Sequence, residues 1–219
     1  MRQAFDLSID HEALIQVAYN GMFDTTAQAV PKESPFYARG VEPTARDVGK
    51  AKALLKAAGV TAPLPITLIT PNNPDLRQVA EIIQSMAAEA GFDVRITAME
   101  FAASLDNAER GGFEAYLLAW SGRVDADGNL WTFLHTGGAQ NYGRYANLAM
   151  DRLLDDARAQ TDLAKRRASY AEVAELERRD LPIEYLWVLR NLFGMSARIA
   201  GFRPVADGLI RLQGVSLAP

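Results

Sequence analysis

Apolar positions along this chain follow two alternating rhythms, one near three to four residues and one of two. In residues 1–21, Ala13, Leu14, Val17 and Ala18 recur at helical spacing behind Asp10, a natural N-cap. The whole stretch is expected to be helical and to stop at Gly21. Residues 22–43 have no period. Pro31, Pro35, Gly40 and Pro43 mark a long loop, with Phe36 and Tyr37 as its anchors. Thr44 is expected to cap the next helix, with Asp47 three residues on as a weak capping box. Ala51, Leu54, Leu55 and Ala58 would face inward, and Gly59 would end it.

The two-residue rhythm then enters. Residues 66–70 read as a strand between Pro65 and Pro71. Asp75 is expected to open a longer helix with Val79, Ile82, Ile83, Met86 and Ala90 on one face, closed by Gly91. Residues 92–97 alternate as a half-buried strand does. Residues 101–110 read as a helix ended by Gly111-Gly112. Residues 113–120 are almost continuously apolar, which predicts a strand central in its sheet. Strand, helix, strand, helix, strand is an α/β unit. Ligands of such sheets collect beyond the carboxyl ends of strands. Here one such end carries Trp120-Ser121-Gly122-Arg123-Val124-Asp125.

Residues 125–147 are loop-rich, with a short helical stretch at 130–134. Asn147 caps a helix bearing Met150, Leu153, Leu154 and Ala157. Asp162 caps another, 163–179, with Tyr170, Val173 and Leu176 inward and Pro182 as its breaker. Residues 183–189 form an apolar strand by the same criteria. Beyond 191 the pattern fades, leaving Phe193, Phe202, Leu209, Ile210 and Leu212 without obvious partners.

Composition narrows the chemistry. The 219 residues allow one or two domains, and 23 basic against 27 acidic residues give a net charge of -4. That balance argues against a nucleic-acid partner, which calls for a basic excess. There is no cysteine, so disulfides and thiolate chemistry are excluded. The two histidines, His11 and His135, make an imidazole-based zinc site improbable. No apolar run is long enough to span a bilayer. No signal peptide is visible, and Met1 leads straight into a helical pattern, which suggests a piece of a longer protein.

Several constellations invite a functional reading. Asp125-Ala126-Asp127-Gly128-Asn129 resembles the start of a calcium loop, but the positions that need Gly and Glu hold Leu130 and Thr136. Asp151, Asp155 and Asp156 read better as a solvated helix face than as paired catalytic carboxylates. Gly137-Gly138 lacks the Lys-Ser/Thr of a phosphate loop, and Ser121 lacks a nucleophile elbow, so a Ser121–His135–Asp triad has no motif behind it. No catalytic residue, metal ligand or cofactor is expected. The remaining cluster is Trp120, Ser121, Gly122, Arg123, Asp125, Asn141 and Tyr142, with Arg144 and Tyr145 beside it. It mixes aromatics and hydrogen-bonding groups on loops beside a strand, where ligands are usually met. The guanidinium of Arg123 suits a carboxylate. In the competing reading Trp120 and Tyr145 belong to the core and Arg123 pairs internally with Asp125 or Asp127.

The ordered motifs resemble family 5 solute-binding proteins, the dipeptide, oligopeptide, glutathione and nickel-chelate receptors of ABC importers. Residues 2–15 are similar to that family's "R-Q-A-x-x-x-A-I-D-R-E-A-L-I" segment. Residues 50–59 resemble its "A-K-x-L-L-x-x-A-G" helix, and Tyr145 through Leu154 its "Y-x-N-x-x-x-D-x-L-L" segment. Leu181-Pro182-Ile183 resembles the "L-P-I" that opens a late strand.

The resemblance implies a lobe of the type II periplasmic-binding fold, a mixed central sheet flanked by helices with a C-terminal return segment. Residues 1–190 would be the ligand-closing lobe. Residues 191–219 would be the hinge return and tail, packing on a first lobe not included here. It further implies a periplasmic or extracytoplasmic location with the signal peptide absent from this piece. The implied partners are a small peptide or other small solute and the membrane permease subunits of the importer, with no nucleic acid. Exposed tail residues would favour self-association of the piece. Peptide-binding members often carry Asp three residues after this Trp, where it pairs with the ligand's α-amino group. That position here is Arg123, which would repel an ammonium and attract an anion. Two alternatives stay open: a hydrolase using surface carboxylates, and a ligand-sensing regulatory domain on the same fold.

Overall fold

The computed structural model describes residues 1–205 and 207–218; Ala206 and Pro219, both within the expected tail, lie outside the described residues. The α/β unit forms where the rhythms place it. Strand β2 (Leu64–Pro71) leads through helix α4 (Pro74–Glu89) to β3 (Phe92–Met99). Helix α5 (Phe101–Glu109) then leads to β4 (Ala115–Tyr116). The sheet order is β3-β2-β4, and both pairings are parallel. The β2–β3 register runs from Leu64↔Phe92 to Pro71↔Met99. Antiparallel pairing falls in two separate ladders, β1 (Asp24–Thr25) with β5 (Trp187–Val188) and β6 (Ile199–Ala200) with β7 (Ser216–Leu217).

Two strand expectations need correction. The central strand is β2, not the segment at 113–120, of which only Ala115–Tyr116 pairs. A final ladder bond from Leu117 N to Ile69 O closes β4, and Leu117 buries itself in the core without further pairing. An apolar run reports burial on both sides, which side-chain packing of an unpaired segment satisfies as well as a central strand does. Residues 183–189 likewise contribute only Trp187–Val188 to a ladder, because Glu184 and Tyr185 turn into the interior instead.

The helices follow their caps. Residues 1–21 split into α1 (Arg2–Asp6) and α2 (His11–Tyr19), since Asp10 takes an extended N-cap conformation and accepts from Ala13 N at 2.9 Å. The buried stripe of α2 is His11, Leu14 and Ile15; Val17, expected inside, is 60 % exposed. Helix α3 (Val48–Ala57) is capped by Asp47, not Thr44, and α4 by Asn73, not Asp75. In both cases the true cap sits immediately before the first helical turn. Asn147 and Asp162 cap α7 (Leu148–Ala159) and α8 (Leu163–Asp180) as expected.

Apolar side chains gather in two main clusters. The first joins α1 to α4 with β2 and β3 through Leu14, Leu55, Val79, Ile83 and Phe92. The second packs α6 (Asp127–Leu134) on α7 and α8 through Leu130, Leu134, Met150, Leu154, Tyr170 and Val173. The loop anchor Phe36 packs edge-on against Tyr170 with ring centroids 5.1 Å apart. In the tail, Phe193 and Phe202 meet at 5.2 Å, whereas Leu209, Ile210 and Leu212 stay exposed. Among the described residues no helix is long and apolar enough to cross a membrane.

Candidate functional site

The loop after β4 is shaped by one glycine and one aromatic. Gly122 takes φ +74°, a left-handed conformation that side-chain-bearing residues resist, and this turns the chain back on itself. The turn lays the Arg123 guanidinium over the Trp120 ring, 4.5 Å from its centroid. Arg123 Nη1 donates to Ser121 Oγ at 3.1 Å and to the Gly122 carbonyl at 2.7 Å. Trp120 itself is half-buried and packs edge-on against Phe133. Trp120, Ser121, Gly122 and Arg123 thus form one continuous surface.

The internal pairing considered for Arg123 is not what the structure holds. Asp125 binds Arg166 through two bonds of 2.8 and 3.1 Å, and that pairing holds its carboxyl below the usual carboxylate range. Asp127 binds Arg158 through two bonds of 2.9 and 2.8 Å. Both carboxylates therefore face away toward α7 and α8. Among the described residues Arg123 makes no ion pair with a carboxylate. The same two pairings dissolve the calcium-loop resemblance, since its would-be ligands already hold guanidinium groups. Among the described residues no group of three or more His, Cys, Asp or Glu is placed to hold a metal.

Asn141 and Tyr142 lie on the loop between α6 and α7. The Asn141 amide donates to the carbonyls of His135 (3.2 Å) and Tyr145 (2.7 Å), and its oxygen accepts from Tyr145 N at 2.9 Å. It staples its own loop. Burial raises the Tyr142 phenol, with Glu109 and then Tyr116 adding to it. Tyr145 packs on the second cluster, as the core reading holds, and its hydroxyl donates to Asp180 at 2.6 Å.

The carboxylates of α7 are not a merely solvated face. Asp151 accepts from Thr136 N at 2.8 Å, and Asp155 accepts from Trp131 Nε1 at 2.9 Å. His135 stacks on Trp131 at 4.4 Å, and its Nε2 lies 3.5 Å from Asp155. Asp155 and Asp156 are both exposed, as the solvated-face reading expects. Ser121 and His135 are engaged with different neighbours, so no triad assembles.

Sequence reasoning missed Asn129. This residue is only 4 % exposed and bonds to both Trp120 and Arg123. A buried Asn on a helix has no signature that separates it from a turn residue, and only the order D-x-D-x-N drew attention to it.

An aromatic and polar loop beyond the third strand of an α/β unit is a place where such sheets meet small ligands. Residues 1–141 match the model of the bacterial extracellular solute-binding proteins, family 5, middle region, and the chain belongs to that family. Di/tripeptide-binding protein 1 of Pseudomonas aeruginosa is 29 % identical over 191 residues, covering 84 % of this chain and 36 % of that protein. The glutathione-binding protein GsiB of Pectobacterium atrosepticum is 29 % identical over 228 residues, covering 99 % of this chain and 44 % of that protein. The solved periplasmic binding protein DppA of Helicobacter pylori, in complex with peptide STSA, superposes with a TM-score of 0.85 at 27 % identity. That match covers 100 % of this chain and 44 % of DppA. The chain therefore spans about two-fifths of the length of these relatives. Each of them is named as a binding protein.

Proposed function

We propose that this chain is the ligand-closing lobe of an extracytoplasmic substrate-binding protein of an ABC importer. Its solute is a small peptide or a related compound that offers an acidic group to Arg123. It works by binding rather than by catalysis, and its macromolecular partners are the importer's membrane permease subunits. Residues 1–190 supply the lobe, and 191–219 the return segment whose exposed leucines seek cover. Ligand contacts come from Trp120, Ser121, Gly122 and Arg123. Asn141, Tyr142 and Asp125 shape the surrounding loops.

One observation carries the anionic preference. Of the three guanidinium groups around this loop, Arg158 and Arg166 are each neutralised by an aspartate, and Arg123 rests instead on an indole face. Nη1 is spent on Ser121 and Gly122, and the Nε–Nη2 edge, which makes no bond among the described residues, suits a carboxylate. Calorimetric titration of the full-length receptor with di- and tripeptides, with and without an acidic side chain, tests the reading. Arg123→Ala should weaken binding of the acidic peptides by about tenfold or more, in keeping with a charge-assisted hydrogen bond. Unchanged affinity for every peptide that binds would remove Arg123 from the site. One lobe offers one wall, so the chain alone should bind the same peptides only weakly.

A further inference from the structure

Asn129 lies in the first turn of α6 and reaches back to the loop six and nine residues before it. Its Oδ1 accepts from the Trp120 indole N–H at 3.0 Å and from the Arg123 backbone N–H at 2.6 Å. Its Nδ2 donates to the Arg123 carbonyl at 2.8 Å. Three of the four hydrogen bonds open to a primary amide are used on two residues. The group is buried, so any loop movement that breaks these bonds leaves polar atoms stranded.

Helix α6 is itself clamped. Arg158 grips Asp127 while lying 4.0 Å over the Trp131 ring, and Arg166 grips Asp125 beside the rings of Phe36 and Tyr170. A chain of polar contacts thus runs from α7 and α8 through α6 to the loop. The sheet contributes little, because the β4 ladder has already ended at Leu117.

We propose that Asn129 is a positioning residue for ligand recognition: it sets the Trp120 ring and the Arg123 main chain so that the cation–aromatic surface exists before a ligand arrives. A preset surface spares the ordering cost that a floppy loop incurs on binding. The inference rests on the reading that Trp120 and Arg123 meet the ligand, but its primary test does not.

The test is indole N–H exchange of Trp120 by NMR, with Trp131 as the internal control, in Asn129→Ala and Asn129→Asp. In Asn129→Ala the Trp120 proton should exchange about tenfold faster, the scale of one lost hydrogen bond, while Trp131 is unchanged. Asn129→Asp keeps the acceptor and should restore protection. Equal Trp120 exchange in wild type and Asn129→Ala overturns the proposal. If Asn129→Ala loses protection at both indoles, Asn129→Asp decides: a protected Trp120 supports the role, and a freely exchanging Trp120 beside a protected Trp131 overturns it. Titration of the full-length receptor with acidic peptides adds the functional arm. Asn129→Ala should weaken binding about tenfold and Asn129→Asp less, whereas a null effect of Arg123→Ala on affinity defeats the ligand reading and leaves the indole result standing.

Discussion

His11 Nε2 lies 3.5 Å from Glu184 Oε1 where α2 meets the segment after α8, with His11 buried and Glu184 half-buried. Ile183, on one side of Glu184, packs on the second apolar cluster, and Leu186, on the other, belongs to the first. The contact therefore sits on the seam between them. Burial works against an ion pair here. Burial lowers the His11 imidazole, with Asp6 and Asp10 opposing and Arg178 assisting. Burial, assisted by Asp6 and opposed by Arg178, pushes Glu184 up to about 8. Glu177, against Tyr185 on the same seam, is also pushed up to about 8 by burial. Burial thus favours the uncharged forms of His11, Glu177 and Glu184.

Stability should fall as pH rises across this seam. The folded state keeps protons on Glu177 and Glu184 that an unfolded chain releases above the ordinary glutamate value. Their contribution is complete below that value and is lost as pH climbs to about 8. The slope is about 1.4 kcal/mol per pH unit for each proton retained. Urea unfolding from pH 5 to pH 9 measures it. Glu184→Gln should flatten the slope, and an unaltered slope in Glu177→Gln and Glu184→Gln would show the seam to be uncoupled from folding.

The opposite limb belongs to Asp180. It accepts from Tyr145 Oη at 2.6 Å, Asn147 Nδ2 at 2.9 Å and Arg179 Nε at 2.9 Å. Arg179 first, then Tyr145, hold its carboxyl down to about 2. Its contribution is present above the ordinary aspartate value and drains away as pH falls toward 2. Tyr145→Phe removes a bond to a charged acceptor and should cost about 1.5–3 kcal/mol at neutral pH. Thermal unfolding at pH 7 and pH 3 should show that loss shrinking in acid.

Local chemistry was legible in the sequence where one short segment decides it. Asn147 and Asp162 could be read as caps because an acceptor side chain stands immediately before each apolar stripe. The strand–helix alternation from 64 to 116 was readable for the same reason. Pairings across 31 and 41 residues were not: nothing in the order of residues assigns Asp127 to Arg158 or Asp125 to Arg166 rather than to the adjacent Arg123. Asn129 was hidden because its partners come together only after the β4 loop folds back. The seam acids were hidden because Glu184 stands in an apolar run that reads as strand.

Loop stapling and ligand contact should separate on mutation. Asn141 spends its amide on His135 and Tyr145, so Asn141→Ala should lower stability by about 1–2 kcal/mol. Arg123 is exposed and its bonds are short-range, so Arg123→Ala should leave stability within about 0.5 kcal/mol of wild type. Paired denaturation and titration curves check both. An Asn141→Ala protein of native stability and reduced affinity would move Asn141 into the ligand surface.

Gly128 probes the placement of Arg123 from the helix side. It occupies the first turn of α6 with no left-handed φ, so alanine suits the backbone and should favour the helix by up to about 1 kcal/mol. A Cβ there, however, would stand 2.8 Å from Arg123 Cγ and 3.0 Å from Arg123 Cβ. Because the main chain fixes Arg123 Cβ, relief of this contact moves Arg123 as a whole, which disturbs both its stack on the Trp120 ring and the Asn129 bonds to its main chain. Gly128→Ala should therefore gain less stability than the helix preference alone gives, and bind acidic peptides less well in the full-length receptor. Wild-type affinity in that variant would mean that the stacked placement of Arg123 is not the one the ligand meets.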